Sequence, residues 1–443
     1  MKPFALRCCS VLATAVFAVL AMASGAHAQW RGHGGPVRAL AVSPDGASVV
    51  SGSFDTSAIR WSPARNAAEQ VLRFHDGAVN AVAGLKDGRL VTSGEDARIA
   101  IWTAGEPQPS AVLEGHTAPV VAVAASPDGK WLASASWDRS VRLWRTDAAR
   151  GGGGAQVLEG HQQNVNGVAF TADGRALVSA GYDATVRIWP LDAAGASSGA
   201  PLIAMLPSPL NAALVAGGEI VAAGADGKLY FLGLDGAVRG EFAVGAEPIT
   251  ALAASGDGTL LAAAGLRGAV ALVDRPGRSL ARMLAVPGPP VWSLAFLADD
   301  RTLLTGGGDR LIRRWDAATG APLDTGIAGG PEDGLAAYAA DPGAQVFRAC
   351  VACHTLRPDE GNRAGPTLAG IFGRRIASLP GYNFSEALKR LDIVWTPDSV
   401  AKMFEVGPAA FTPGTKMPEQ RIGSPEERAA LVQFLEKATG ARQ

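Results

Sequence analysis

At 443 residues with a formal net charge of −1, the chain is long enough for two or three domains and carries no bulk charge for nucleic acid or an anionic membrane surface. Its 48 % hydrophobic and 18 % charged residues are too apolar a mix for a disordered chain. A globular protein of two domains is expected.

Lys2 and Arg7 precede an apolar run from Cys8 to Ala23, and Ala26-His27-Ala28 supplies small residues at a processing site. This is the pattern of a cleaved export signal over residues 1–28. A retained anchor is the competing reading, but the run is short for a membrane span. The expected location is periplasmic, with no membrane insertion after cleavage. Cys8 and Cys9 sit too early to take a lipid, and beyond residue 28 only Cys350 and Cys353 remain. Stability must then come from buried area rather than from disulfides.

From residue 29 to 324 the chain repeats. Trp61, Trp102, Trp144, Trp189, Leu232, Val273 and Trp315 follow one another at steps of 41, 42, 45, 43, 41 and 42 residues. Each unit holds an alternating apolar stretch, a turn such as Ser43-Pro44-Asp45-Gly46, a second strand and, except in unit six, an Asp before the third. Such a period predicts a radial array with four short strands per unit. Gly32-His33, Gly115-His116, Gly160-His161 and Trp315-Asp316 resemble the WD40 repeat family, strongly in units one to four and seven. The resemblance implies an all-β, seven-bladed propeller. It also implies buried networks: His33 with Ser51, Asp55 and Trp61; His75 with Ser93, Asp96 and Trp102; His116 with Ser134, Asp138 and Trp144; His161 with Ser179, Asp183 and Trp189. These histidines are expected to be structural rather than metal-binding.

Units five and six lack the His and the Trp, and Arg267 replaces Asp in unit six, so aliphatic packing is expected there. Cleavage after Ala28 would leave only Gln29, Trp30 and Arg31 before the first Gly-His. The outer strand of blade seven is therefore expected from Ala321 to Ile327, with Trp30 pinning the N-terminal end. No phosphate loop or nucleophile elbow stands in the propeller, and Gly151 to Gly154 reads as a flexible insertion.

Residues 325–340 read as a Gly-rich linker, and 341–443 as the second domain. Asp341-Pro342 starts a helix that delivers Cys350-Val351-Ala352-Cys353-His354. Two thiols at this spacing can form thioethers to haem vinyl groups while the adjacent imidazole binds iron. Zinc would need further Cys or His ligands, and His354 is the only histidine after residue 340. Thr396-Pro397 opens a second helix through Val406, and Ser424 to Glu427 is a capping box opening a third, stopped by Gly440. Helices wrapped around one covalent haem c are expected. For the sixth iron position, Met403 lies at helical spacing and is expected in the core. Met417, in the loop Pro413 to Pro418, is held toward the metal.

These residues, with Gly365-Pro366, Gly373-Arg374, Pro380-Gly381-Tyr382 and Trp395, resemble mitochondrial-type class I cytochrome c over residues 341 to 438. The resemblance implies an all-α fold, covalent attachment at Cys350 and Cys353, axial His354 and Met417, and the Pro366 carbonyl accepting from the His354 ring. It implies Arg374, Tyr382, Trp395 and Thr415 at the haem propionates. Phe404 stands where the family usually has a tyrosine near the methionine sulfur. Ala349, Ala409 and Ala410 stand where relatives carry lysines. The domain holds 13 Lys and Arg against 11 Asp and Glu, a weak field for steering.

The expected function is one-electron transfer, with redox partner proteins docked through the propeller. The alternatives are an oxidoreductase with a propeller substrate site and a haem acceptor, and a sensor in which the methionine dissociates. The sequence does not fix an oligomeric state.

Overall fold

The computed structural model describes residues 29–147, 154–286, 290–324 and 335–440. The expected export signal, Gly151 to Gly153 of the expected insertion and most of the expected linker lie outside the described residues. Seven antiparallel four-stranded sheets form the N-terminal unit, as the 41–45-residue period requires. Blade one runs through Val37–Val42, Val49–Ser53, Ser57–Ser62 and Ala67–Arg73. Its innermost strand lies beside that of blade seven, where Ser293 Oγ donates to the Val37 carbonyl at 3.4 Å.

Every innermost strand carries an irregularity after its first residue, from Val37/Ala39 round to Val291/Ser293. A bulge bends a strand and re-aims one side chain. Here the skipped residues Arg38, Asn80, Val121, Asn166, Asn211, Thr250 and Trp292 line the central channel. Three of them latch one blade to the next. Asn166 donates to the Leu210 carbonyl at 2.9 Å, Asn211 to Ile249 at 3.0 Å and Thr250 to Val291 at 2.9 Å.

The buried networks form in blades one, three and four with the expected residues. In blade three, for example, His116 bonds Asp138 and Ser134, both at 2.7 Å, and Trp144 Nε1 donates to Ser134 at 2.8 Å. Burial alone would raise the Asp138 carboxyl, but hydrogen bonds from His116 and Ser140 outweigh it and hold it well below the usual carboxylate range. Blade two differs from the expectation: Thr92, not Ser93, bonds both His75 and Trp102, each at 2.9 Å. Alternation along a strand explains the correction, because Ser93 points to the other face and reaches the Ala81 and Val120 carbonyls. A hydroxyl ten residues before the Trp was the usable signal. Blade five adds to its aliphatic core a buried Tyr230, whose hydroxyl donates to Asp226 at 2.6 Å.

Ring closure also departs from expectation. Trp30–Arg31 is the outer strand of blade seven, pairing Trp30 with Ile312 and Arg31 with Leu311. Residues 321–324 take only the rest of that edge, through the Trp315–Pro322 bridge and the Leu323 N–H to Arg314 carbonyl bond. Two residues suffice because Trp30 stacks on Trp61 at 5.4 Å and sits under Arg314, itself paired with buried Asp324 at 2.6 Å.

In the C-terminal domain, α1 (Pro342–Phe347), α2 (Glu386–Lys389), α3 (Pro397–Val406), α4 (Pro408–Phe411) and α5 (Pro425–Thr439) surround one core. α1 packs on α5 closely enough that a methyl on Gly343 would lie 2.5 Å from Phe434 Cβ. Asp341 caps α1 as expected. The full capping box belongs to α3, between Thr396 and Ser399. At α5, Ser424 accepts from the Glu427 N–H, but its hydroxyl donates to Glu426. Packing starts before residue 341, since the Tyr338 ring meets Phe434 edge-on at 5.2 Å. Among the described residues no helix is long and apolar enough to cross a membrane.

The expected consequence of the closure is that Trp30→Ala destabilises the propeller by about 3–5 kcal/mol, the usual loss for a buried tryptophan, read by denaturant unfolding.

Candidate haem site

One cavity dominates the helical domain, with about 1310 Å³ of empty space, part of it open to solvent. Its wall is mainly apolar: Phe347, Leu368, Ile371, Trp395, Val400, Phe404, Leu431 and Leu435 among others. Cys350, Cys353, His354, Met403 and Met417 all line it. The turn after α1 delivers the motif, with the N–H groups of Cys353 and His354 bonded to the Cys350 carbonyl at 3.1 and 2.9 Å.

His354 Nδ1 donates to the Pro366 carbonyl at 2.8 Å, which directs Nε2 to act as the ligand nitrogen. Burial pushes the imidazole down to about 4, keeping it neutral. Burial likewise pushes the thiols of Cys350 and Cys353 up to about 12 and about 11. Gly365 has no room for a side chain, since a Cβ there would lie 2.7 Å from His354 Nδ1.

Met403, on α3, is buried beside Val400 and Phe404. Met417 is half-buried in a loop held by several bonds. Ser385 Oγ donates to the Gly414 carbonyl at 2.9 Å, the Thr415 N–H to Thr412 at 3.0 Å and the Met417 N–H to Thr415 Oγ1 at 3.1 Å. Gly414 adopts φ +82°, a left-handed turn that suits glycine. Lys416 bonds propeller Asp76 at 2.8 Å.

Arg374, Tyr382, Trp395 and Thr415 also line the cavity. The Arg374 guanidinium is engaged by the Ala369 and Thr367 carbonyls at 3.1 and 3.0 Å. The Tyr382 hydroxyl donates to the Ala364 carbonyl at 2.6 Å, so its single proton is already committed there.

The sequence reading missed two propeller residues, Asp55 and Arg73, which stand in the wall of this cavity. The Ala364 N–H donates to the Gly32 carbonyl at 2.7 Å, and a side chain on Gly34 would strike Cys353 Sγ. Asn383 donates to the Pro107 carbonyl at 2.6 Å. No periodicity marks such contacts, which join positions hundreds of residues apart.

An apolar cavity with two thiols, an oriented neutral imidazole and two thioethers fits a haem of c type, so the fold and site define a cytochrome domain carried by a β-propeller. The family model described as cytochrome c matches residues 340–439, and that described as WD domain, G-beta repeat matches 26–62, 67–103, 107–145, 154–190 and 281–316. The chain is 41 % identical over 101 residues to cytochrome c of Cochliobolus lunatus, covering 23 % of this chain and 93 % of that protein. It is 41 % identical over 101 residues to cytochrome c of Arabidopsis thaliana, covering 23 % and 89 % respectively. It is 38 % identical over 102 residues to cytochrome c2 of Rhodomicrobium vannielii, covering 22 % and 81 %. Through this C-terminal domain the chain belongs to the cytochrome c family, and it transfers electrons by way of haem.

Gly365→Ala is expected to cost about 1–3 kcal/mol by overpacking against His354. Denaturant unfolding reads the loss, and the visible spectrum of the same samples reads the disturbed ligation.

Proposed function

We propose that this chain is an exported, periplasmic one-electron carrier. Cys350 and Cys353 attach a single haem covalently, His354 and Met417 ligate its iron, and the propeller is the platform on which a redox partner protein docks. The observation that carries the reading is the convergence of both thiols, the Pro366-oriented imidazole and the Met417 loop on one apolar cavity.

The bound haem supplies a reversible one-electron couple. The chain's residues do the rest. Pro366 fixes the tautomer and direction of His354, and Gly365 gives the ring its space. The Thr412–Thr415 turn and the Ser385 bond restrain Met417, a job that Phe404, with no hydroxyl, cannot share. Trp395 and Thr415 line the cavity and would meet the haem carboxylates. Arg374 and Tyr382 brace the surrounding backbone through the carbonyls they bond. The apolar wall keeps water from the iron.

Docking is supported by the exposed aromatic residues Phe54, Trp137 and Tyr182, which precede the network aspartates of blades one, three and four and so occupy equivalent places on one rim. Large aromatics exposed at equivalent positions suit a protein interface. Electrons then pass between that docked partner and the haem.

Met417→Ala is expected to abolish the weak near-infrared sulfur-to-iron band of the oxidised protein and to lower the potential, whereas Met403→Ala keeps the band. The opposite pattern, or ready carbon monoxide binding by the ferrous wild type at neutral pH, overturns the ligand assignment. Acid–acetone extraction is expected to leave the haem on the protein, because the thioethers are covalent; release of haem into the acetone sinks the attachment at Cys350 and Cys353.

A further inference from the structure

The haem cavity is walled by two domains, and the charged group that the propeller contributes is not accounted for. Arg73 ends the outer strand of blade one. Its guanidinium reaches the cavity across the interface and lies over the Tyr382 ring at 5.7 Å. Nε and Nη1 of Arg73 are shut off from solvent with no hydrogen-bond partner. A guanidinium with buried, unpaired donors lowers stability unless an acceptor arrives.

The neighbouring groups do not supply one. Asp55 is already taken by His33 at 3.1 Å, the Gly34 N–H at 2.7 Å and Ser57 at 2.6 Å. Tyr382, whose hydroxyl donates to the Ala364 carbonyl, leaves Nε and Nη1 of Arg73 without an acceptor. Arg374, which also lines the cavity, gives one N–H from each of Nη1 and Nη2 to the Ala369 and Thr367 carbonyls. The remaining wall is mostly apolar. A haem brings carboxylate groups into such a cavity, and these are the acceptors a planar, always-charged donor fits best.

We infer that Arg73 of the propeller is a positioning residue of the haem site, its guanidinium holding an ionised carboxylate of the haem across the domain interface. The surrounding contacts keep it in place: Asn383 bonds the Pro107 carbonyl at 2.6 Å and the Arg73 carbonyl at 3.4 Å, and Gly34 abuts Cys353. The propeller thereby contributes to the redox centre itself, as well as to partner docking. A cation held there disfavours the more positive ferric state and so raises the potential. The inference rests on the haem reading above.

The test uses the full-length, haem-loaded protein, with potentials measured by spectroelectrochemical titration and ligation checked by the near-infrared band. Arg73→Gln is expected to lower the reduced-to-oxidised ratio about tenfold at the wild-type midpoint, about 59 mV for a one-electron couple, with the band retained. Arg73→Lys, which keeps the charge, is expected to recover most of that loss. Arg73→Met, which keeps an unbranched stem over Tyr382, is a second neutral variant and serves if the glutamine variant does not fold. A ratio within about twofold of wild type in the neutral variants overturns the inference, as does Arg73→Lys falling as far as Arg73→Gln. Protein that carries no covalent haem instead overturns the haem reading, so the two failures are distinguishable.

Discussion

The bond from His354 Nδ1 to the Pro366 carbonyl is the constraint on which the redox site depends. It selects the ring nitrogen that faces the cavity and fixes the ring plane, and Gly365 makes it possible by leaving the ring room. The same stretch then meets the propeller, because the Ala364 N–H is bonded to the Gly32 carbonyl, while within the domain the Ala364 carbonyl accepts from Tyr382. Orientation of the axial ligand and seating of the domain are thus two ends of one short segment. A shift at the interface is felt at the imidazole without any long relay.

The propeller supplies rigidity by two different means around its ring. Blades one to four hold their turns with buried His–Asp–hydroxyl–Trp networks, each satisfying a carboxylate that burial would otherwise penalise. From blade four to blade seven, bulge side chains bond the next blade's carbonyl instead. The haem domain seats against blades one and two, where the internal networks are complete. The propeller residues it contacts, Gly32, Gly34, Asp55 and Asp76, flank or belong to those networks.

Much of this was legible because local chemistry repeats or punctuates. The tryptophan period gave the blades, Asp341, Thr396 and Ser424 gave the three longest helix starts, and Cys350 to His354 gave the haem reading. The failures have equally local causes. Ser93 and Thr92 are adjacent hydroxyls, and a one-residue slip between them puts the side chain on the opposite face of the strand. The outer strand of blade seven was assigned by length, whereas stacking of Trp30 on Trp61 makes two residues sufficient. The helices Glu386–Lys389 and Pro408–Phe411 are single turns without an apolar stripe to detect. Asp55 and Arg73 reach the haem cavity through tertiary packing, to which no sequence spacing is sensitive.

The individual contacts between the domains are modest, and connectivity explains why they suffice. Exposed ion pairs such as Lys416–Asp76 contribute at most about 1 kcal/mol, too little to hold two separate proteins together. A short tether turns association into an intramolecular step at an effective concentration of order millimolar, so a few hydrogen bonds and the fit of Gly34 against Cys353 are enough. Using Lys416 in this way also removes a cation from the haem domain's outward field, and Ala349, Ala409 and Ala410 are exposed without charge. With 13 basic against 11 acidic residues in the domain, long-range steering toward the haem is weak. For the docking proposed above, that leaves shape and apolar contact to guide encounter, and the exposed aromatic residues of blades one, three and four are a surface of that kind.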